Sequence, residues 1–158
     1  MVHLDQLLAR YSGAAIIQTH RDPLETLPSL ASMALELRRL TSDTVHPSEC
    51  ADYALTTARC RLERTESVRQ ATGGQRFVDV WFGDIVTDAL AVVERIYAQI
   101  GLDLPAGVRD RMARYVASHG RDKRPAHGYT LAQFGLDAEA IRREFSAYRE
   151  TYVLPHQH

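Results

Sequence analysis

Apolar positions along the chain change their period several times, and each change predicts an element. In HLDQLLARYSG, Leu4, Leu7 and Leu8 recur at helical spacing, and Ser12-Gly13 predicts the stop. The next run, AAIIQT, is too short for a helix between Gly13 and Asp22-Pro23, and its unbroken apolar start predicts a strand buried on both faces. Helical period then returns. In RDPLE, Asp22 suits the N-cap, Pro23 has the preset φ of a first helical position, and Glu25 can complete a capping box. Leu30, Met33, Ala34 and Leu37 carry that helix to near Leu40. Pro28 would cost a helix interior about 3 kcal/mol, which leaves two alternatives: a helix kinked there, or one capped at Thr26.

TSDTVHP predicts a loop, and Pro47 opens a long helix through SECADYALTTARCRLERTESVRQ, closed by Gly73-Gly74. RFVDVWF predicts the second strand, with Phe77, Val78, Val80, Trp81 and Phe82. Helices follow in DALAVVERIYAQIG, stopped by Gly101, and in PAGVRDRMARYVASHG, stopped by Gly120. RDKRPAHGY is a basic loop, and DAEAIRREFSAYRETY a closing helix. There is no internal repeat. Strands separated by helical crossovers predict an α/β fold with a parallel sheet flanked by helices. Two strands are few for a stable sheet, so the pattern also predicts that a strand is missing.

A length of 158 residues predicts one domain over 1–158. Nineteen basic against 20 acidic residues give a net charge of −1, which excludes a general attraction to nucleic acid or to anionic membrane. The helix VRDRMARYVASHGRDKR is rich in arginine but lacks a helix-turn-helix signature. No apolar run approaches the ~20 residues of a membrane span. Cys50 and Cys60, without a CxxC motif or a secretory signal ahead of them, read as free thiols of a cytoplasmic chain. The seven histidines show neither HExxH nor zinc-site spacing, so no metal is expected. GxSxG is absent, and Gly73-Gly74 lacks the lysine and Ser/Thr of a nucleotide P-loop.

Candidate chemistry therefore narrows to anion binding. Arg21, at the carboxyl end of a strand, stands where open α/β sheets bind ligands, and Ser29 lies early in the following helix. A guanidinium can grip phosphate bidentately while a hydroxyl adds a hydrogen bond near helix amides. The competing reading pairs Arg21 with Asp22 or Glu25 and makes Ser29 a small packing residue. Arg121, Lys123 and Arg124 form a second basic site, read either as a solvated loop or as a clamp on the same anion.

IIQTHRDPLETLPSLASM resembles the sulfotransferases that use 3′-phosphoadenosine 5′-phosphosulfate, in particular a bacterial branch with an HRDP…PS…S segment. RFVDVWFGDIVTDALAVVERIYAQIGL and HGYTLAQFGLDAEAIRREFSAYRETY are similar to later parts of that family, in collinear order over nearly the whole chain. The resemblance implies a P-loop nucleotide-kinase-like α/β fold. It also implies transfer of a sulfuryl group from 3′-phosphoadenosine 5′-phosphosulfate to a hydroxyl or amine of a small-molecule acceptor, leaving 3′,5′-adenosine bisphosphate. Arg21 and Ser29 match in spacing the family pair that holds the 3′-phosphate. Phe82 stands where many members place an adenine-contacting Tyr, and Arg121, Lys123 and Arg124 fall near the family's late phosphate-binding loop.

Family members begin with a strand and a Ser/Thr-Gly-rich loop for the 5′-phosphosulfate, whereas MVHL aligns with a segment after it. The expectation is thus an N-terminally truncated, helix-rich version of the fold, with His3 as the candidate catalytic base. By the same analogy the absent first strand lies between the two present here. They would then not pair without a shift, a swap or a partner chain, and a homo-oligomer or complementing chain is expected. The alternative is a non-catalytic binding or assembly module on the same fold.

Overall fold

The computed structural model describes residues 3–119 and 128–157. In chain order the elements are α1 (Leu4–Arg10), β1 (Ile16–His20), α2 (Pro23–Arg39), α3 (Pro47–Ala71), β2 (Phe77–Trp81), α4 (Phe82–Thr87), α5 (Ala89–Gln99) and α6 (Ala106–Ser118). After a 3-10 turn at Ala132–Phe134 come α7 (Ala138–Glu144) and α8 (Ser146–Tyr148), a π turn at Arg149–Val153 and a 3-10 turn at Leu154–His156. The closing helix predicted from sequence is therefore broken. Residues 3–12, 21–74 and 128–157 gather into one compact unit, and residues 13–20 and 75–119 into a second.

In the first unit α2 is one helix through Pro28, and Asp22, not Thr26, is its N-cap. Pro28 lacks only the amide that would have met the Leu24 carbonyl, and its ring is buried. Leu27, Ala31, Ala34 and Leu35 of α2 meet Cys50, Ala51 and Ala54 of α3, and Phe134, Ile141 and Phe145 complete the core. The small residues let the two helices approach closely. Cys50 is buried and Cys60 half-buried, both as free thiols.

In the second unit β1 and β2 pair directly and in parallel, from Ile16 beside Phe77 to His20 beside Trp81. They thus pair within this chain without a swapped strand or a partner chain. The long crossover through α2 and α3 suffices to bring the second strand alongside the first in register. Burial of β1 also differs from prediction: Ile16 and His20 are buried, but Ile17, on the other face, is 48% exposed. Such alternation marks a strand covered on one side. Val78 and Val80 of β2 pack with Val92 of α5 and its neighbours Ile96 and Ile100. Phe82, predicted as the last strand residue, is instead the first residue of α4.

Candidate functional site

The chain leaves β1 through His20, Arg21 and Asp22. Asp22 holds extended backbone angles (φ −60°, ψ 129°), and its carboxylate accepts the Leu24 amide at 2.9 Å, the expected behaviour of an N-cap. The same carboxylate is gripped from the far end of the chain. Arg149 Nε donates to Asp22 Oδ1 at 3.1 Å, and Arg149 Nη2 donates to Oδ2 at 3.0 Å. Both side chains are nearly buried, at 12% and 9% exposure for Arg149 and Asp22. Gln157 Nε2 approaches Oδ2 at 3.4 Å.

Arg21 turns toward the first turn of α2, where its Nε donates to Glu25 Oε2 at 2.7 Å. At 32% and 58% side-chain exposure this is a solvent-facing pair. Such pairs contribute about 0–1 kcal/mol. Ser29, half-buried, follows Glu25 by four residues on the same face of α2, with a Cβ separation of about 6 Å expected at that spacing.

The helix amides contribute less than the sequence suggested. Leu24 N is taken by the Asp22 carboxylate, Glu25 N and Thr26 N donate to the Asp22 carbonyl at 2.9 and 3.0 Å, and Pro23 has no N–H. The anion at this helix start is Asp22 itself.

In the second unit, His20 is 1% exposed, and its Nε2 lies 2.9 Å from Asp79 Oδ1. The ring stacks with Trp81 at 5.8 Å between centroids. Arg95 places its guanidinium 5.8 Å from the Trp81 ring centre and donates through Nη2 to Asp84 Oδ2 at 3.0 Å. Phe82, half-buried, opens α4 beside this group in sequence. Sequence reading passed over His20 and Asp79, although an acid in the middle of FVDVW was the available signal. Between α5 and α6 an open apolar groove of about 480 Å³ is lined by Leu90, Val93, Met112, Tyr115 and Val116 among others.

His3 is exposed and begins α1 through its carbonyl, which accepts the Leu7 amide at 3.1 Å; its imidazole makes no capping bond. Arg121, Lys123 and Arg124 lie outside the described residues. Of the predicted site residues, Arg21 directly precedes the N-cap of α2 and Ser29 is the seventh residue of that helix. Among the described residues no group of three or more His, Cys, Asp or Glu could hold a metal ion, and no helix is long and apolar enough to cross a membrane.

The sulfotransferase-family model matches residues 1–106. No curated protein sequence matches. Two solved structures do. Sulfotransferase STF9 from Mycobacterium avium is 28% identical with a TM-score of 0.86, covering 96% of this chain and 39% of its own. Sulfotransferase STF1 from Mycobacterium tuberculosis H37Rv is 29% identical with a TM-score of 0.77, covering 91% of this chain and 36% of its own. The chain spans less than two-fifths of the length of either relative. With the family match running through both strands, the Arg21 to Ser29 segment and Phe82, this chain belongs to the sulfotransferase family.

Proposed function

We propose that this chain carries the 3′-phosphate half-site of a sulfotransferase that moves a sulfuryl group from 3′-phosphoadenosine 5′-phosphosulfate to a hydroxyl or amine of a small cytoplasmic acceptor. Arg21 and Ser29 carry the reading. Arg21 lies between the parallel strand and the N-cap of α2, and Ser29 lies within α2, at the spacing that the family resemblance associates with the 3′-phosphate. Arg21 supplies a two-pronged charge-assisted contact and Ser29 a hydroxyl, while Phe82 offers a ring for the adenine to pack against. By the family resemblance Arg121, Lys123 and Arg124, outside the described residues, are the further candidates for the nucleotide phosphate, and His3 is the candidate to take the acceptor proton.

Transfer also needs donors for the 5′-phosphosulfate. At the start of α2 the Leu24, Glu25 and Thr26 amides already have partners, so this helix does not provide them. Without three such charge-assisted bonds, at about 1.5–3 kcal/mol each, the cofactor would bind roughly three to six decades more weakly. The half-site by itself is expected to bind 3′,5′-adenosine bisphosphate, the ligand that carries the 3′-phosphate without the phosphosulfate.

A second reading, a non-catalytic binding or assembly module, draws support from the Arg21 to Glu25 pair, which engages the guanidinium within the chain. Calorimetric titration with 3′,5′-adenosine bisphosphate separates the two. Saturable binding by the wild type that is lost in Arg21→Ala supports the half-site; a folded wild type that releases no heat favours the module.

A further inference from the structure

Arg21 is followed directly by a carboxylate. An ionised Asp22 beside a phosphate-binding arginine poses a problem for phosphate recognition, because it repels the incoming anion and competes for the same guanidinium. The fold answers with Arg149, 127 residues away, whose Nε and Nη2 fork onto the two Asp22 oxygens at 3.1 and 3.0 Å. Burial of both side chains keeps that compensation from being screened by salt. The chain also leaves α-helical geometry at Arg149, the first residue of the π turn, a device that recurs at functional positions.

We propose that Arg149 is a positioning residue for the phosphate site: it cancels the Asp22 charge and holds that carboxylate as the cap of α2, leaving Arg21 to the ligand's 3′-phosphate. This rests on the half-site reading above. Arg149 itself touches no ligand. Its influence passes through Asp22, so the closing segment of the chain sets the anion preference of a site near the beginning.

The discriminating quantity is the ratio of affinities for 3′,5′-adenosine bisphosphate and adenosine 5′-monophosphate, measured by calorimetry at one ionic strength. Arg149→Met leaves the Asp22 charge uncompensated in the residue next to Arg21, and the preference for the bisphosphate is expected to fall about tenfold, with monophosphate binding little changed. Asp22→Asn combined with Arg149→Met keeps a capping side chain and restores neutrality, so most of the preference should return. Arg149→Lys retains the charge without the fork and should fall between the wild type and Arg149→Met, which keeps the test readable if the methionine variant does not fold. A purely structural role would lower the melting temperature and leave the ratio alone. A preference unchanged in both folded Arg149 variants overturns this proposal by itself, whereas a wild type without any preference overturns the half-site reading and this inference with it.

Discussion

β1 and β2 run side by side, reach their ends as partners at His20 and Trp81, and each passes almost directly into a helix. The exits are nonetheless built differently. After β1 the helix start has a side-chain cap, a proline at its first position, a buried carboxylate and a two-pronged arginine from the end of the chain. After β2 the cap residue is Trp81, which makes no side-chain cap bond, and α4 runs for six residues without burying one. Its main ion pair, Arg95 with Asp84, is more than one-third exposed on both sides. Rigid backbone support thus collects at the proposed phosphate site. The second exit offers aromatic surface instead.

That contrast can be broken most forcefully at Asp22. Asp22→Ala removes the cap and strands a nearly buried Arg149, a loss expected to cost about 3–5 kcal/mol in urea unfolding. The counterpart at the other exit, Asp84→Ala, should cost less than about 1 kcal/mol, and equal losses would erase the distinction. Arg21→Ala is expected to weaken 3′,5′-adenosine bisphosphate binding by about 100-fold or more, since two charge-assisted bonds are worth roughly 1.5–3 kcal/mol each. Its folding should barely change. Asp79→Ala leaves buried His20 without its carboxylate and should lower stability by about 1–3 kcal/mol, read as a shift in the urea midpoint. Smallest is Glu25→Gln, which releases Arg21 from an exposed pair and should tighten bisphosphate binding by up to about fivefold. A weakening there would mean that Glu25 orients the arginine rather than competing for it.

What the sequence made legible was local. Asp22 as cap, Pro23 at the first helical position and the i, i+4 pairing of Arg21 with Glu25 all follow from residues within one turn of each other. The Arg21 and Ser29 candidates were read from a strand end and the helix after it, and their pairing from the family resemblance. Arg149 was invisible because its partner is 127 residues away, and nothing in AYRETY distinguishes a buried fork from a solvated arginine. His20 and Asp79, 59 residues apart, were hidden by the same non-locality. The direct pairing of β1 and β2 was not legible either, because register between strands separated by the crossover through α2 and α3 is set by tertiary packing. Ile17 shows the same dependence on context, since an apolar residue in a short strand says nothing about how many faces will be covered.

The central claim is that the β1 exit recognises a 3′-phosphate. Side-by-side calorimetric titrations of the wild-type chain with 3′,5′-adenosine bisphosphate and adenosine 5′-monophosphate test it most directly. The account predicts saturable bisphosphate binding at least about tenfold tighter than the monophosphate, the margin one charge-assisted contact provides. Equal affinities for the two nucleotides, or binding of neither by the folded chain, would contradict it.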